Sequence, residues 1–167
     1  MKTTYLILLL LFSASLFAQK TGEELARLAF KACLKNDEKA FRRLYPSDPI
    51  LTAYFKIADK KKAFPKDVVK KYYPKGIQGA MFGFKLFPKG LKEFGVNPTD
   101  ITITGSDINE NDIEIMVNKK KVGSVYNNFV SLYFTSGGKK FAFVVPKAIV
   151  FKGRWFIGDQ VVSLHEI

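Results

Sequence analysis

The stretch Val122–Phe151, VGSVYNNFVSLYFTSGGKKFAFVVPKAIVF, decides the fold. Two long runs rich in β-branched and aromatic residues, Val122 to Thr135 and Lys139 to Phe151, flank Ser136-Gly137-Gly138. Such side chains pack well on a pleated surface, and glycines supply the positive φ that a tight reversal needs. The spacing predicts two antiparallel strands joined by a turn. Pro146 has no N–H to give to a ladder, so the second strand is expected to lie at an edge or carry a bulge there.

Further along the chain, Lys152-Gly153 is a second hairpin signal, and Arg154 to Leu164 is expected to form one closing strand. On the N-terminal side, Ile101-Thr102-Ile103-Thr104 and Ile113-Glu114-Ile115-Met116-Val117 flank a polar segment, Ser106–Asn111, read as a turn between two strands. Short connections between successive strands give an antiparallel β-meander.

Upstream of Asn97-Pro98 the apolar period changes from two residues to about 3.6. Thr21-Gly22-Glu23-Glu24 fits a capping box, with Thr21 as N-cap and Glu24 reaching back. Leu25, Leu28, Ala29, Ala32 and Cys33 then mark one face of a helix. Asn36-Asp37 ends it and opens a short helix through Ala40, Phe41, Leu44 and Tyr45. Asp48-Pro49 reads as N-cap and first helical position of a third, running toward Lys62. Between Ala63 and Gly95 helix and irregular loop compete. Pro74 is expected to stop one helix, Gly76, Gly79 and Gly83 lie at near-helical spacing, and Pro88 to Phe94 reads as a further short helix closed by Gly95. Helices first and strands second make an α+β domain with the helices packed on one face of a curved sheet.

Residues 1–18 stand apart. Lys2 precedes the apolar run Tyr5–Phe12, and small residues lead to Leu16-Phe17-Ala18-Gln19. This is the order of a secretory signal, and the run is shorter than the ~20 residues that span a bilayer. Cleavage after Ala18 is expected, with Ser15 as the alternative, leaving residues 19–167 as a single domain in the periplasm or outside the cell. The only cysteine, Cys33, has no partner for an intramolecular disulfide and falls on the apolar face of the first helix, where packing is its expected role.

Without Lys2, 26 basic residues face 15 acidic ones, and the excess is local. Tyr54 to Glu93 holds eleven Lys against Asp59, Asp67 and Glu93. Lys56, Lys60, Lys61, Lys62, Lys66, Lys70, Lys71 and Lys75 form the expected anion-binding set, with Tyr54, Tyr72 and Tyr73 as aromatic contacts. Lysine is a flexible point charge and arginine a planar fork, so a Lys-dominated patch implies diffuse attraction to an anionic envelope component rather than base-specific readout. Nucleic acid is therefore an unfavoured partner, although Lys and aromatics together also suit single strands. The acidic group Asp107, Glu110, Asp112 and Glu114 lacks the Gly and the ligand order of a calcium loop, and one Cys with one His makes no zinc site. No metal and no cofactor is expected.

The segment Val150-Phe151-Lys152-Gly153-Arg154-Trp155-Phe156-Ile157-Gly158-Asp159, together with the helix-then-strand layout of Thr21–Leu164, resembles the small cystatin-like and nuclear-transport-factor-like α+β proteins. The resemblance implies a helix lying in the concave face of a curved sheet, although the helical part here is longer than those families usually carry. It also implies an apolar pocket in which a carboxylate could act as general base, and Asp159 is the residue placed for that. Two functional readings follow. The leading one is an exported, non-enzymatic module that binds a protein partner or an anionic surface through its Lys-rich region. The alternative is a small enzyme or carrier using Asp159. Single-strand nucleic-acid binding stands third.

Overall fold

The computed structural model describes residues 19–58, 68–117, 120–158 and 162–167. The leader 1–18, the lysines at 60, 61, 62 and 66, and Asp159 lie outside the described residues. Among the described residues four helices, α1 (Gly22–Leu34), α2 (Glu38–Arg42), α3 (Asp48–Ala58) and α4 (Val68–Glu93), precede five strands. The strands are β1 (Thr102–Val117), β2 (Lys120–Ser136), β3 (Lys139–Phe151), β4 (Arg154–Phe156) and β5 (Ser163–Glu166). The sheet order is β1-β2-β3-β4, every pairing is antiparallel, and β5 also pairs with β3. This is the expected α+β arrangement, an open sheet with its helices in the N-terminal part of the chain.

Local chemistry explains each boundary of α1. Thr21 is extended (φ −132°, ψ 157°), and its Oγ1 accepts from the Glu24 N–H at 3.1 Å. The return arm of the capping box is displaced by one residue: Glu24 Oε2 accepts from the N–H of Lys20, at 2.8 Å, instead of Thr21. At the other end Asn36 takes φ 50°, with Asn36 N–H donating to the Cys33 carbonyl and Asp37 N–H to that of Ala32. These two bonds are a Schellman closure built on asparagine. The buried face is Leu25, Ala26, Ala29, Phe30, Ala32 and Cys33. Leu28, expected on that face, is 36% exposed, because Ala26 and Phe30 rotate the stripe away from it.

Two other helix boundaries differ from expectation. The Leu51 N–H donates to the Ser47 carbonyl at 3.0 Å, so Ser47 is the cap and Asp48 the first helical residue of α3, one position earlier than expected. Pro74 does not stop a helix. It and Pro88 both sit inside α4, a single helix of 26 residues. An internal proline costs ~3 kcal/mol or more through its missing N–H and ring clash. Here Pro74 and Pro88 are exposed, while Ala80, Met81, Phe84, Phe87 and Leu91 are buried between them and beyond. Each such large side chain contributes about 1.5–3 kcal/mol, which outweighs the two prolines. Gly95 (φ 68°) closes α4 as expected, with the Val96 N–H on the Leu91 carbonyl at 2.9 Å and both side chains buried.

The strands hold two further corrections. Ser106–Asn111 is not a turn; it is the middle of β1, paired with Leu132 through Asn127 of β2. It contains no Gly or Pro to reverse the chain, and the polar residues face a full-length partner strand. The acidic residues therefore string along β1 instead of ringing a hairpin tip. The closing strand is also broken, β4 ending at Phe156 and β5 starting at Ser163. The cause lies in β3, where Pro146 and Lys147 oppose Phe129 as a two-for-one bulge and Lys147 takes φ 51°. Beside that bulge the Ile157 N–H leaves the sheet and donates to the Leu44 carbonyl at 2.9 Å. A Cβ at Gly158 would fall inside the Lys147 carbonyl oxygen, so only glycine fits.

One face of β2 and β3 is apolar and buried, through Val130, Leu132, Phe134, Phe141, Phe143 and Val145. Phe30 of α1 sits on it, 4.8 Å from the Phe134 ring centroid and 5.2 Å from that of Phe143. Phe87 of α4 meets Phe30 edge-on at 5.9 Å. The core thus joins α1, α4 and the sheet, and the helix-facing side of β2 and β3 is filled by side chains at this point.

Candidate anion-binding surface

α4 packs against α1, α2, α3 and β5, which leaves its outward side to solvent. With 3.6 residues per turn, Lys75, Gln78, Phe82, Lys85, Leu86, Lys89 and Lys92 fall along that side. All seven are exposed. Phe82 at 59% and Leu86 at 43% are large apolar groups left in water. Lys89 Nζ lies 3.5 Å from Glu93 Oε1, in an exposed pair. Among the described residues no carboxylate comes within ion-pair distance of Lys75, Lys85 or Lys92. Arg42 of α2 borders the same surface across a shallow depression of about 240 Å³ floored by Ile77, Met81 and Phe82. Arg42 is itself paired with Glu38 at 2.7 Å.

Of the expected anion-binding residues, Lys75 is exposed at the start of this stripe. Lys56 lies in α3 and Lys70 and Lys71 in the first turns of α4, with side chains outside the described residues, as are those of Tyr72 and Tyr73. Tyr54 is half-buried on α3, and burial pushes its phenol up to about 12, so it stays protonated at neutral pH. The described structure adds six residues that the sequence-based set lacked: Gln78, Phe82, Lys85, Leu86, Lys89 and Lys92. The signal for them was present as the i, i+3, i+7 spacing from Lys75 through Gln78 and Phe82. It was obscured because the glycines and phenylalanines of Gly76–Phe87 read as packing residues, and Pro74 and Pro88 read as breaks.

Groups capable of catalysis are placed less favourably. Burial raises the Cys33 thiol to about 12, so almost none of it is thiolate at neutral pH. His165 is exposed on β5, its Nε2 2.8 Å from Ser163 Oγ. A serine nucleophile needs a carboxylate or carbonyl to orient the imidazole from its other nitrogen, and no such bond occurs among the described residues. The neighbouring Glu166 carboxylate is engaged by Lys139 at 3.1 Å. No cluster of three His, Cys, Asp or Glu side chains that could hold a metal occurs among the described residues. Asp159, the expected general base, lies outside the described residues; the expected closing strand ends at Phe156. Among the described residues no helix is long and apolar enough to cross a membrane. Comparison with protein-family models, curated proteins and solved structures returned no match.

Proposed function

We propose that this protein is an exported, non-enzymatic binding module whose Lys-rich helical region engages anionic surfaces or ligands. The observation that carries the reading is the outward side of α4, where Lys75, Lys85 and Lys92 stand exposed without an ion-pair partner among the described residues. Unneutralised like charges on one helix repel one another, and an anionic partner relieves that repulsion. Export rests on the sequence of residues 1–18, whose removal after Ala18 would leave Gln19 as the first residue.

Salt-titrated binding to a soluble polyanion such as polyphosphate tests the charge part. Affinity is expected to fall at least tenfold between about 50 and 200 mM salt, as counterion release requires for several phosphate contacts. The triple variant Lys85→Gln/Lys89→Gln/Lys92→Gln should lose most of that dependence. Salt-independent binding, or none at low salt, refutes the reading. Mass spectrometry of the protein recovered from its native cell tests export, since a chain still starting at Met1 refutes it.

A further inference from the structure

We infer that the outward side of α4 is a lipid-docking face, on which Phe82 and Leu86 insert between the headgroups of an anionic bilayer while Lys75, Lys85, Lys89 and Lys92 meet lipid phosphates. This deepens the proposed function and rests on it, naming the anionic partner and the residues that touch it.

Helix geometry places the two apolar groups at the centre of the cationic stripe. Leu86 is one turn beyond Phe82, and Lys75 and Lys89 lie two turns to either side on the same line. Lys85 and Lys92 flank it. A helix that presents apolar groups between long cationic side chains lies in the plane of an interface. The lysine stems cover apolar surface and their ammonium groups reach the phosphate level. Pro74 and Pro88 are exposed at either end of the stretch that carries Lys75, Phe82, Lys85 and Leu86, about three and a half turns of one continuous helix.

The composition favours lipid over the other anionic partners. Lysine is depleted from the cores of protein–protein interfaces, whereas here it surrounds the apolar pair. Nucleic-acid strands are gripped by successive aromatics, and this stripe presents a single one, Phe82. Exposed Phe and Leu contribute nothing to a purely electrostatic contact, yet at an interface each removes apolar area from water.

The test places an environment-sensitive fluorophore on Gln78→Cys, one turn from Phe82, which keeps both apolar residues; Cys33 is buried and does not compete for the label. Vesicles of phosphatidylglycerol mixed with phosphatidylcholine are expected to shift the emission to the blue. Lipids brominated on the acyl chain should quench it, and pure phosphatidylcholine should do neither. Phe82→Ser/Leu86→Ser should lower vesicle partitioning at least tenfold while leaving polyphosphate binding unchanged. Each Lys→Gln on the stripe should lower partitioning about fivefold.

Sedimentation with anionic vesicles while the label stays in water overturns insertion and leaves the electrostatic reading standing. So does binding to polyphosphate without binding to vesicles. Failure to bind either removes both readings. Dimerisation that is lost in the Phe82→Ser/Leu86→Ser variant overturns the lipid assignment, since the face would then be covered by a second copy.

Discussion

α1 and α4 are both amphipathic helices packed on the same core, yet they treat their solvent sides differently. α1 is 13 residues long, capped at both ends by its own sequence, and more than its inner third is buried. Its outward Arg27 is paired with Glu23 at 2.7 Å. α4 is twice as long, has no acidic residue in its first turn, and tolerates two prolines. Its outward side leaves Phe82, Leu86 and three lysines without partners among the described residues. Apart from Leu28 and Lys31, which are also exposed, α1 is accounted for by folding; the outward side of α4 is not. A helix whose exposed composition neither caps, pairs nor packs is where an external partner should be sought.

Substitution of a phenylalanine in each helix breaks this contrast most directly. Phe30→Ala in α1 should destabilise the protein by about 4 kcal/mol, because a large ring is lost from the contact with Phe134, Phe143 and Phe87. Phe82→Ala in α4 should change stability by no more than about 0.5 kcal/mol. Denaturant unfolding measures both, and similar losses would show that Phe82 is a packing residue. Gly158→Ala comes next, at about 3 kcal/mol, since the added methyl meets the Lys147 backbone carbonyl, which has no side-chain freedom to yield. Thr21→Ala should cost about 1 kcal/mol through the lost bond to the Glu24 N–H, read by the same unfolding curves.

The smallest effect concerns pH. The Ser136 hydroxyl, 2.5 Å from Asp100 Oδ1, and then the Gly137 N–H at 3.0 Å hold the Asp100 carboxyl below its usual range. A lowered folded-state pKa adds stability above the unfolded value that disappears as pH falls through the folded one. Asp100→Asn should therefore flatten part of the acid limb of a stability–pH profile and leave the proposed neutral-pH binding by α4 untouched. An unchanged acid limb would remove Asp100 as the tie between the α4–β1 connection and the β2–β3 turn.

Much of this contrast was open to reading in one dimension. Thr21, Asp37, Gly95 and the two glycine turns act on neighbours within four residues, so their chemistry is visible in the letters alone. Asp37 Oδ1 does accept from the Ala40 N–H, at 2.9 Å, as its position before the short helix implies. The candidate surface was half visible. The lysine excess of Tyr54–Glu93 stands out by counting, but counting does not say which lysines share a side, and it passes over Phe82 because exposure is not written in a residue's identity.

By itself, the sequence determined the α+β order, the helix caps at Thr21, Asp37 and Gly95, the strand–turn–strand of Val122–Phe151 and the place of the excess charge, all of which follow from local backbone and side-chain preferences. Tertiary structure alone decided that α4 runs through two prolines, that β1 crosses Ser106–Asn111 without turning, and that the last strand breaks beside Lys147. In each case a long-range partner outweighs the local preference: a buried aromatic face, a paired strand, or a carbonyl on another element. The same packing, by choosing which side of α4 to bury, determined that Phe82 and Leu86 would face outward among the lysines.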